Sequence, residues 1–449
     1  MSSRREFLKG MAIGGAALAT GVAGSRSYGR ILGSNDRVRV GLIGFSDRAR
    51  DTLVPCLQVH AEEMNVEITA ISDIWDRRRE EGLAFLKATT GRGVTLVRNN
   101  DELFEKRLVD AVIISTADFQ HALHGAAAVR AGLDAYIEKP LAETMADARE
   151  VLRAVRESKQ VVQIGSQRRS GANYIAAYKY LQSGKFGPIT MVEMSWNVNQ
   201  PGRWRRPKLV ADIREGDTDW ARYVMGKTKD AWDPRKYIEY RLFWPYSSGI
   251  PGQWMCHQID TVHWFSGLAR PRSVVANGGI YVWKDGRTNA DTMTAVFEYG
   301  PLDGVSHAFQ VVYSSRMHNS AGGIREVYFS NAGKLDLYAN TITPEGGLTS
   351  VEAAAMGMKA NQLAPLSLKS TQPVATGANT GVDSMASAHM RNWLECIRSR
   401  KAPNADIIAG YNHSVADIMT TAALHTGRRV TFDDSAQEVL AGERVFRAE

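Results

Sequence analysis

The stretch Arg37-Val38-Arg39-Val40-Gly41-Leu42-Ile43-Gly44 is a short β-branched run that ends in glycine. Polar turn residues and the segment Ala49 to Leu57 follow, so the order reads strand, turn, helix. Val66 to Ser72 opens the same pattern again, ahead of an Arg/Glu-rich helix running through Lys87. Ala111 to Ser115 and Ala135 to Ile137 are further strands, with the Ala-rich segment Ala122 to Ala131 between them. Strands that alternate with helices predict a parallel sheet wrapped on both faces. The ligand of such a sheet sits at the carboxyl ends of its strands.

The turn after the first strand departs from a full dinucleotide fingerprint. Glycines would stand at Gly44, Ser46 and Ala49, and only the first is glycine. The Ser46 Cβ would crowd a pyrophosphate unless the turn is shifted, whereas alanine at 49 still permits close helix packing. What remains is a helix N-terminus whose N–H groups and dipole favour phosphate. Gly44, Phe45, Ser46 and Arg48 are therefore candidate cofactor contacts. Asp73, at the end of the second strand, is placed to accept the ribose hydroxyls of an adenosine. Its charge favours NAD over NADP, and the following Arg77 and Arg78 weaken that preference.

The chain has 449 residues, too many for one ordinary core. Hydrophobic residues at 44% and charged residues at 23% exclude disordered, coiled-coil and collagen-like classes. The net charge of +7 is spread without a long Lys/Arg block, so nucleic acid is not an expected partner. Cys56, Cys256 and Cys396 are the three cysteines. They form no Cys-x-x-Cys pair and no disulfide framework, and no metal is expected.

At the N-terminus, Ser3, Arg4, Arg5, Phe7, Leu8 and Lys9 precede the apolar Gly/Ala-rich run Met11 to Ala23. This is the layout of an export signal, assigned to residues 1–24. The apolar run is short of the roughly 20 residues a membrane span needs, so no span is expected in the mature chain. Paired arginines followed by Phe-Leu-Lys resemble the twin-arginine signal, which exports folded proteins to the periplasm.

Five further motifs are specific. Glu138-Lys139-Pro140 follows one strand, and Thr116-Ala117-Asp118-Phe119-Gln120-His121 follows the strand before it. Ile164-Gly165-Ser166-Gln167-Arg168 and Cys256-His257-Gln258-Ile259-Asp260 come later, with Arg391 to Cys396 near the end. Together they closely resemble the Gfo/Idh/MocA family (glucose-fructose oxidoreductase, inositol dehydrogenase and MocA) over roughly residues 37 to 435. The resemblance implies a Rossmann NAD-binding domain over 36–165. It also implies a substrate-binding and oligomerisation α/β domain over 166–435, with a large, mainly antiparallel open sheet and final helices that return to the first domain. Strand-like runs at Thr190 to Asn197, Arg272 to Val275 and Met293 to Tyr299 agree. Gly346 to Ser387, rich in small residues and lacking periodicity, reads as a long irregular loop.

The family places its catalytic lysine in the Glu-Lys-Pro element, which implies Lys139. His257 is the second catalytic candidate, one helical turn beyond Gln253. Many members carry aspartate where Gln253 stands. An amide orients a hydroxyl but takes no proton, so general-base work falls to His257 or Lys139. The resemblance further implies that Thr116, Asp118, His121, Glu138, Lys139 and Gln167 hold NAD together with the glycine turn and Asp73. Gln253, Trp254, Arg241 and Tyr246, within an aromatic-rich stretch, are candidate substrate contacts, since aromatic faces beside polar donors suit a pyranose.

An exported dehydrogenase with a dissociating cofactor would lose turnover, because free NAD is expected to be scarce outside the cytoplasm. Tightly held, internally recycled NAD follows. The expected activity is oxidation of a sugar or glycoside hydroxyl, for example to a 3-keto-glycoside, by a homo-oligomer. A redox-neutral NAD-dependent glycosidase and a non-catalytic NAD- or sugar-binding protein are the alternatives.

Overall fold

The structure is a computed structural model that describes residues 36–447 apart from 200–201, 203, 302–306 and 369–380. The export signal expected at 1–24 lies outside the described residues.

The first domain alternates β1 (Val38–Ile43), α1 (a π-helical opening Ala49–Leu53 continuing as Val54–His60), β2 (Val66–Ser72), α2 (Asp76–Thr90), β3 (Thr95–Val97) and α3 (Asn100–Glu105). It continues with β4 (Ala111–Ile114), α4 (His121–Arg130), β5 (Asp134–Ile137), α5 (Met145–Glu157) and β6 (Val162–Ile164). These six strands form one parallel sheet in the order β3-β2-β1-β4-β5-β6. Strand order reverses between β1 and β4, which opens a crevice at their carboxyl ends. β4 and β5 are buried along their whole length, as strands covered on both faces must be. Gly91, at a φ of +70°, caps α2 four residues beyond Lys87.

The second domain begins with α6 (Ala172–Gln182) and β7 (Met191–Asn197), then the short helices α7 (Pro207–Asp212), α8 (Trp220–Val224) and α9 (Pro234–Ile238). Next comes α10, π-helical over Pro251–Met255 and α-helical over Cys256–Ser266. The strands β8 (Ser273–Gly279), β9 (Thr292–Tyr299), β10 (Phe309–Arg316), β11 (Ile324–Ser330), β12 (Gly333–Asp336) and β13 (Thr341–Thr343) follow. After α11 (Ser350–Met356) come β14 (Leu366–Ser367), α12 (Ser384–Ser399), α13 (Ile407–Thr426), β15 (Val430–Asp433), β16 (Glu438–Ala441) and β17 (Arg444–Val445). All of these strands form one 11-stranded sheet, parallel at β7–β10 and antiparallel at its other pairs. β9 alternates buried and less buried residues, the period-2 pattern of a half-covered sheet.

Two helices bind the domains together. α12 lays Met390, Trp393, Leu394 and Ile397 into the same apolar cluster as Leu53, Val54 and Leu57 of α1 and Tyr136 of β5. α13 is buried over most of its length and packs on α5 of the first domain as well as on α10 and β8 of the second.

The expected long loop at Gly346 to Ser387 is corrected in part. A capping box made by Thr349 and Glu352 starts α11 inside it, and Leu366–Ser367 pairs with β13. Its small-residue composition masked a helix that its capping residues specify. Residues 369–380 of this stretch lie outside the described residues.

Candidate active site

The carboxyl ends of β1, β2 and β4 open onto a cavity of about 1060 Å³ walled on its other side by the second domain. Gly44 sits where the chain leaves β1, at a φ of +82°. A Cβ there would stand 2.8 Å from Thr116 Cγ2 and 2.9 Å from the Ser115 carbonyl oxygen, so the crossing admits only glycine. Ser46, in the second glycine position, turns its hydroxyl away from the turn's apex. Its Oγ accepts from Ala49 N (3.2 Å) and lies 2.5 Å from Ser115 Oγ, capping the helix from within. Ala49 is fully buried, as close helix–sheet packing requires.

Asp73 lines the cavity at the end of β2. Its two carboxylate oxygens accept from Phe45 N (2.8 Å) and Trp75 N (2.9 Å), which fixes the side chain and leaves further lone pairs for a ligand hydroxyl. Burial pushes its pKa up, against those two N–H groups and the nearby Arg78 and Arg79. Arg78 also lines the cavity, but its guanidinium is held by Glu81 and Asp47, while Arg77 pairs with Glu81 and Asp212. Thr116, on the β4 loop, keeps its buried Oγ1 without a protein partner.

Arg48, Glu138 and Gln167 form one cluster at the cavity floor, with Arg48 lining the cavity and Glu138 buried. Arg48 Nε donates to Glu138 Oε1 at 2.9 Å, and the Gln167 amide donates to Gly165 O (2.8 Å) and accepts from Arg48. Burial alone would raise the Glu138 pKa, but Arg48 and Lys139 outweigh it and hold the carboxyl below its ordinary value. Gly165 is required here because a Cβ would meet the Glu138 carboxylate at 2.9 Å. Removing either partner of this buried pair would strand the other, at a cost of about 3–5 kcal/mol.

Beyond the cluster the two domains meet through Lys139. Its side-chain nitrogen donates to the Gln253 carbonyl oxygen at 2.9 Å. The Gln253 amide bridges two charges: Nε2 donates to Asp118 Oδ2, and Oε1 accepts from Arg241 Nε at 2.8 Å. His257, one turn further along α10, is partly exposed and stacks against Trp196 with ring centroids 5.7 Å apart. Burial, then the cations Lys139, Arg168 and Arg48, hold its pKa well below the ordinary imidazole value, so the ring is neutral and keeps a lone pair at neutral pH. Gln253 and Arg241 line the cavity; Lys139 joins it through the Gln253 carbonyl, and His257 follows Gln253 on α10.

The remaining expected contacts lie deeper. His121 spans the two motif loops, with Nδ1 2.8 Å from Pro140 O and Nε2 3.3 Å from Thr116 O. Asp118 is buried and accepts from Ser247 Oγ as well as Gln253. Two of the substrate candidates are corrected. Tyr246 is 1% exposed, donates to Asp230 Oδ2 at 2.9 Å and packs among Phe119, Trp220 and Tyr223. Trp254 is equally buried, between Trp196 and Trp204. Both are core aromatics rather than cavity wall. The wall instead uses Trp75, Asn100, Trp204, Arg206, Tyr223, Tyr237 and Tyr240, of which Tyr237 and Tyr240 belong to the aromatic stretch read from sequence.

A doubly wound parallel sheet with a glycine-crossed first turn, an acidic residue ending β2 and a cavity at the strand ends defines a dinucleotide-binding Rossmann domain. Here it is joined to an open, mostly antiparallel sheet domain. Residues 38–166 match the GFO_IDH_MocA family, described as "Oxidoreductase family, NAD-binding Rossmann fold". An inositol 2-dehydrogenase of Agrobacterium fabrum is 27% identical over 217 residues, 47% of this chain and 59% of that protein. A 1,5-anhydro-D-fructose reductase of Ensifer adhaerens is 31% identical over 197 residues, 42% of this chain and 56% of that protein. The chain thus spans a little over half the length of these curated relatives. A levoglucosan dehydrogenase structure in complex with NADH and levoglucosan has the same fold, with a TM-score of 0.63 and 14% identity over 88% of this chain and 99% of that one. The aldose-aldose oxidoreductase of Caulobacter crescentus matches with a TM-score of 0.59 and 17% identity over 88% and 100% of the respective chains.

The residues present fit NAD. The Gly44 crossing leaves backbone N–H groups at the start of α1 open to a diphosphate. Asp73 offers acceptors to ribose hydroxyls, and Thr116 Oγ1 is a buried hydroxyl still in need of a partner. Among the described residues no group of His, Cys, Asp or Glu is arranged to hold a metal ion.

Proposed function

We propose that this chain is an NAD-dependent oxidoreductase that oxidises a hydroxyl of a sugar or glycoside. The observation that carries the reading is the junction of Lys139, Gln253 and His257 at one end of the dinucleotide cavity. Bound NAD supplies the hydride acceptor. The neutral His257 imidazole takes the hydroxyl proton, and the Lys139 nitrogen donates to the same oxygen as it gains charge. The Gln253 amide, fixed between Asp118 and Arg241, holds the substrate end rigid without titrating. Tyr240 and Trp204 contribute aromatic surface to the cavity wall beside which a sugar ring can lie.

The same reading includes export by the twin-arginine route to the periplasm, assembly as a homo-oligomer, and a cofactor kept through repeated turnovers. Retention is supported by the strap of α7 to α9, which crosses the cavity mouth and is latched to the first domain. Asp212 pairs with Arg77 (3.3 Å), Arg222 with Asp101 (2.7 Å) and Arg206 with Asp47 (3.5 Å), and Gln120 Nε2 donates to Tyr223 O at 2.7 Å. The product, such as a 3-keto-glycoside, would then be released while a second carbonyl compound reoxidises the cofactor.

Denaturing freshly purified protein and assaying the supernatant for NAD tests retention, with close to one equivalent expected. A panel of sugars, polyols and nitrophenyl glycosides, followed by nicotinamide absorbance and by released phenol, tests the reaction. Absorbance change without phenol is expected, whereas phenol release without net reduction would identify a redox-neutral glycosidase instead.

A further inference from the structure

Arg241 makes no direct ion pair with a carboxylate among the described residues. The other arginines enclosed around the site each hold a carboxylate: Arg48 pairs with Glu138, Arg168 with Glu326 and Arg169 with Asp260. Arg241 Nε is committed to Gln253 Oε1, and its guanidinium lies over the Tyr240 ring, 4.5 Å from the centroid. Two carboxylates act on it from a distance: Asp118, separated from it by the Gln253 amide and occupied by Ser247 and Gln253, and Asp47, which pairs with Arg50, Arg78 and Arg206. The two terminal nitrogens of Arg241 meet no described protein acceptor, and the residue lines the cavity.

A guanidinium held flat on an aromatic ring and anchored through Nε presents its remaining donors as a planar fork. That geometry matches a carboxylate bidentately. The nearby carboxylates keep the guanidinium charged without taking up its terminal donors, which an anionic ligand can fill. Its position fixes which part of a ligand it meets. Gln253 receives Arg241 at its side-chain oxygen and Lys139 at its backbone oxygen, so fork and lysine are separated by a single residue.

We propose that Arg241 selects the substrate class: the sugar oxidised here carries a carboxylate, as uronic and aldonic acids do, and that carboxylate docks on the Arg241 fork while a ring or chain hydroxyl faces Lys139 and His257. The proposal rests on the dehydrogenase reading above. The one competing use of the fork is the diphosphate of the cofactor, which is also an oxyanion, and the test separates the two.

Protein loaded with NADH is titrated calorimetrically with D-glucuronate, D-gluconate and D-glucose, for the wild type, Arg241→Gln and Arg241→Lys, and NADH affinity is measured separately by fluorescence. The acids are expected to bind the wild type at least tenfold more tightly than glucose. Arg241→Gln should erase that preference and leave NADH affinity within threefold. Arg241→Lys, which keeps the charge and loses the fork, should retain a small part of the preference. Equal binding of acids and glucose, or no binding of either acid, to the loaded wild type overturns the proposal. So does an Arg241→Gln variant that loses NADH tenfold or more with its sugar preference intact, which assigns the fork to the diphosphate. A wild type that binds no NADH defeats the dehydrogenase reading itself.

Discussion

The Lys139 side-chain nitrogen donates to the Gln253 backbone oxygen at 2.9 Å, so the motif loop after β5 is bonded directly to the first turn of α10. One residue of the Rossmann domain is thereby positioned by the other domain, and the reactive corner exists only when the two are docked. α12 buries its apolar face against the first domain, and α13 packs against elements of both. The geometry proposed for catalysis is therefore a property of the interdomain contact rather than of either sheet.

Replacing Lys139 with methionine keeps most of the side-chain volume and removes the donor to Gln253. Turnover is expected to fall by about a hundred- to thousandfold, the loss seen when one preorganised transition-state donor is removed. NADH binding, read by fluorescence, should change little, because the Gly44 turn and Asp73 are untouched. His257→Asn should likewise keep the fold and lose the pH-dependent limb of kcat/KM that reports the base. An unchanged pH profile in that variant would remove His257 from proton transfer.

Gly44→Ala tests the crossing of the first turn. The backbone is left-handed there, and the new methyl would stand 2.9 Å from a backbone oxygen that cannot swing away. Conformational strain alone costs about 1–2 kcal/mol for a non-glycine residue, and the clash adds to it. Thermal unfolding should drop by several degrees and NADH affinity by more than tenfold. A variant with wild-type affinity would mean that the dinucleotide does not approach this turn.

The local parts of this architecture were legible in the sequence, and the convergent parts were not. β1, its glycine and Asp73 are set within one strand–turn–helix unit, where period and turn chemistry are written in adjacent residues. The Glu138-Lys139-Pro140 element was equally visible, but its contact with Gln253 joins residues 114 positions apart. Within the aromatic stretch, composition does not separate Tyr240, which faces the cavity, from Tyr246, which is core and bonded to Asp230. That distinction is made by the irregular turns between them, including the 3₁₀ turn Tyr240–Leu242. The Asp118–Gln253–Arg241 bridge was hidden for the same reason. Its members were each identified as site residues, but with roles in separate groups.

The latches on the strap are largely exposed ion pairs, each worth little and weakened by salt. Release of bound NADH into excess unlabelled NAD should therefore be slow at low ionic strength and accelerate severalfold by 1 M sodium chloride. The double variant Asp212→Asn with Arg222→Gln should release quickly at both salt levels, since it removes the pairs to Arg77 and Asp101 together. Salt-independent release from the wild type would show that the cofactor is held from inside the cavity and not by the strap.

Glu143 makes a pH-dependent contribution to stability that can be isolated. Its carboxyl is buried beside the Ser248 backbone N–H (3.1 Å) and hydroxyl (3.2 Å), and burial followed by the Asp118 charge pushes its pKa up to about 8. Asp417, also buried and with neither oxygen partnered by protein, is raised well above its ordinary value in part by Glu143. Between the unfolded value near 4.5 and the folded value near 8, the native state binds a proton that the unfolded chain does not, so stability falls as pH rises through this window. The buried histidines act in the opposite sense. His389 and His413 are lowered to about 4, so their contribution is complete above pH 6.5 and is lost as pH falls toward 4. Glu143→Gln retains an acceptor for Ser248 and cannot ionise. Its melting temperature relative to wild type should therefore rise from pH 5 to pH 9, with the low-pH decline left as it was. A constant difference across that range would show that Glu143 is ionised in the native protein at neutral pH.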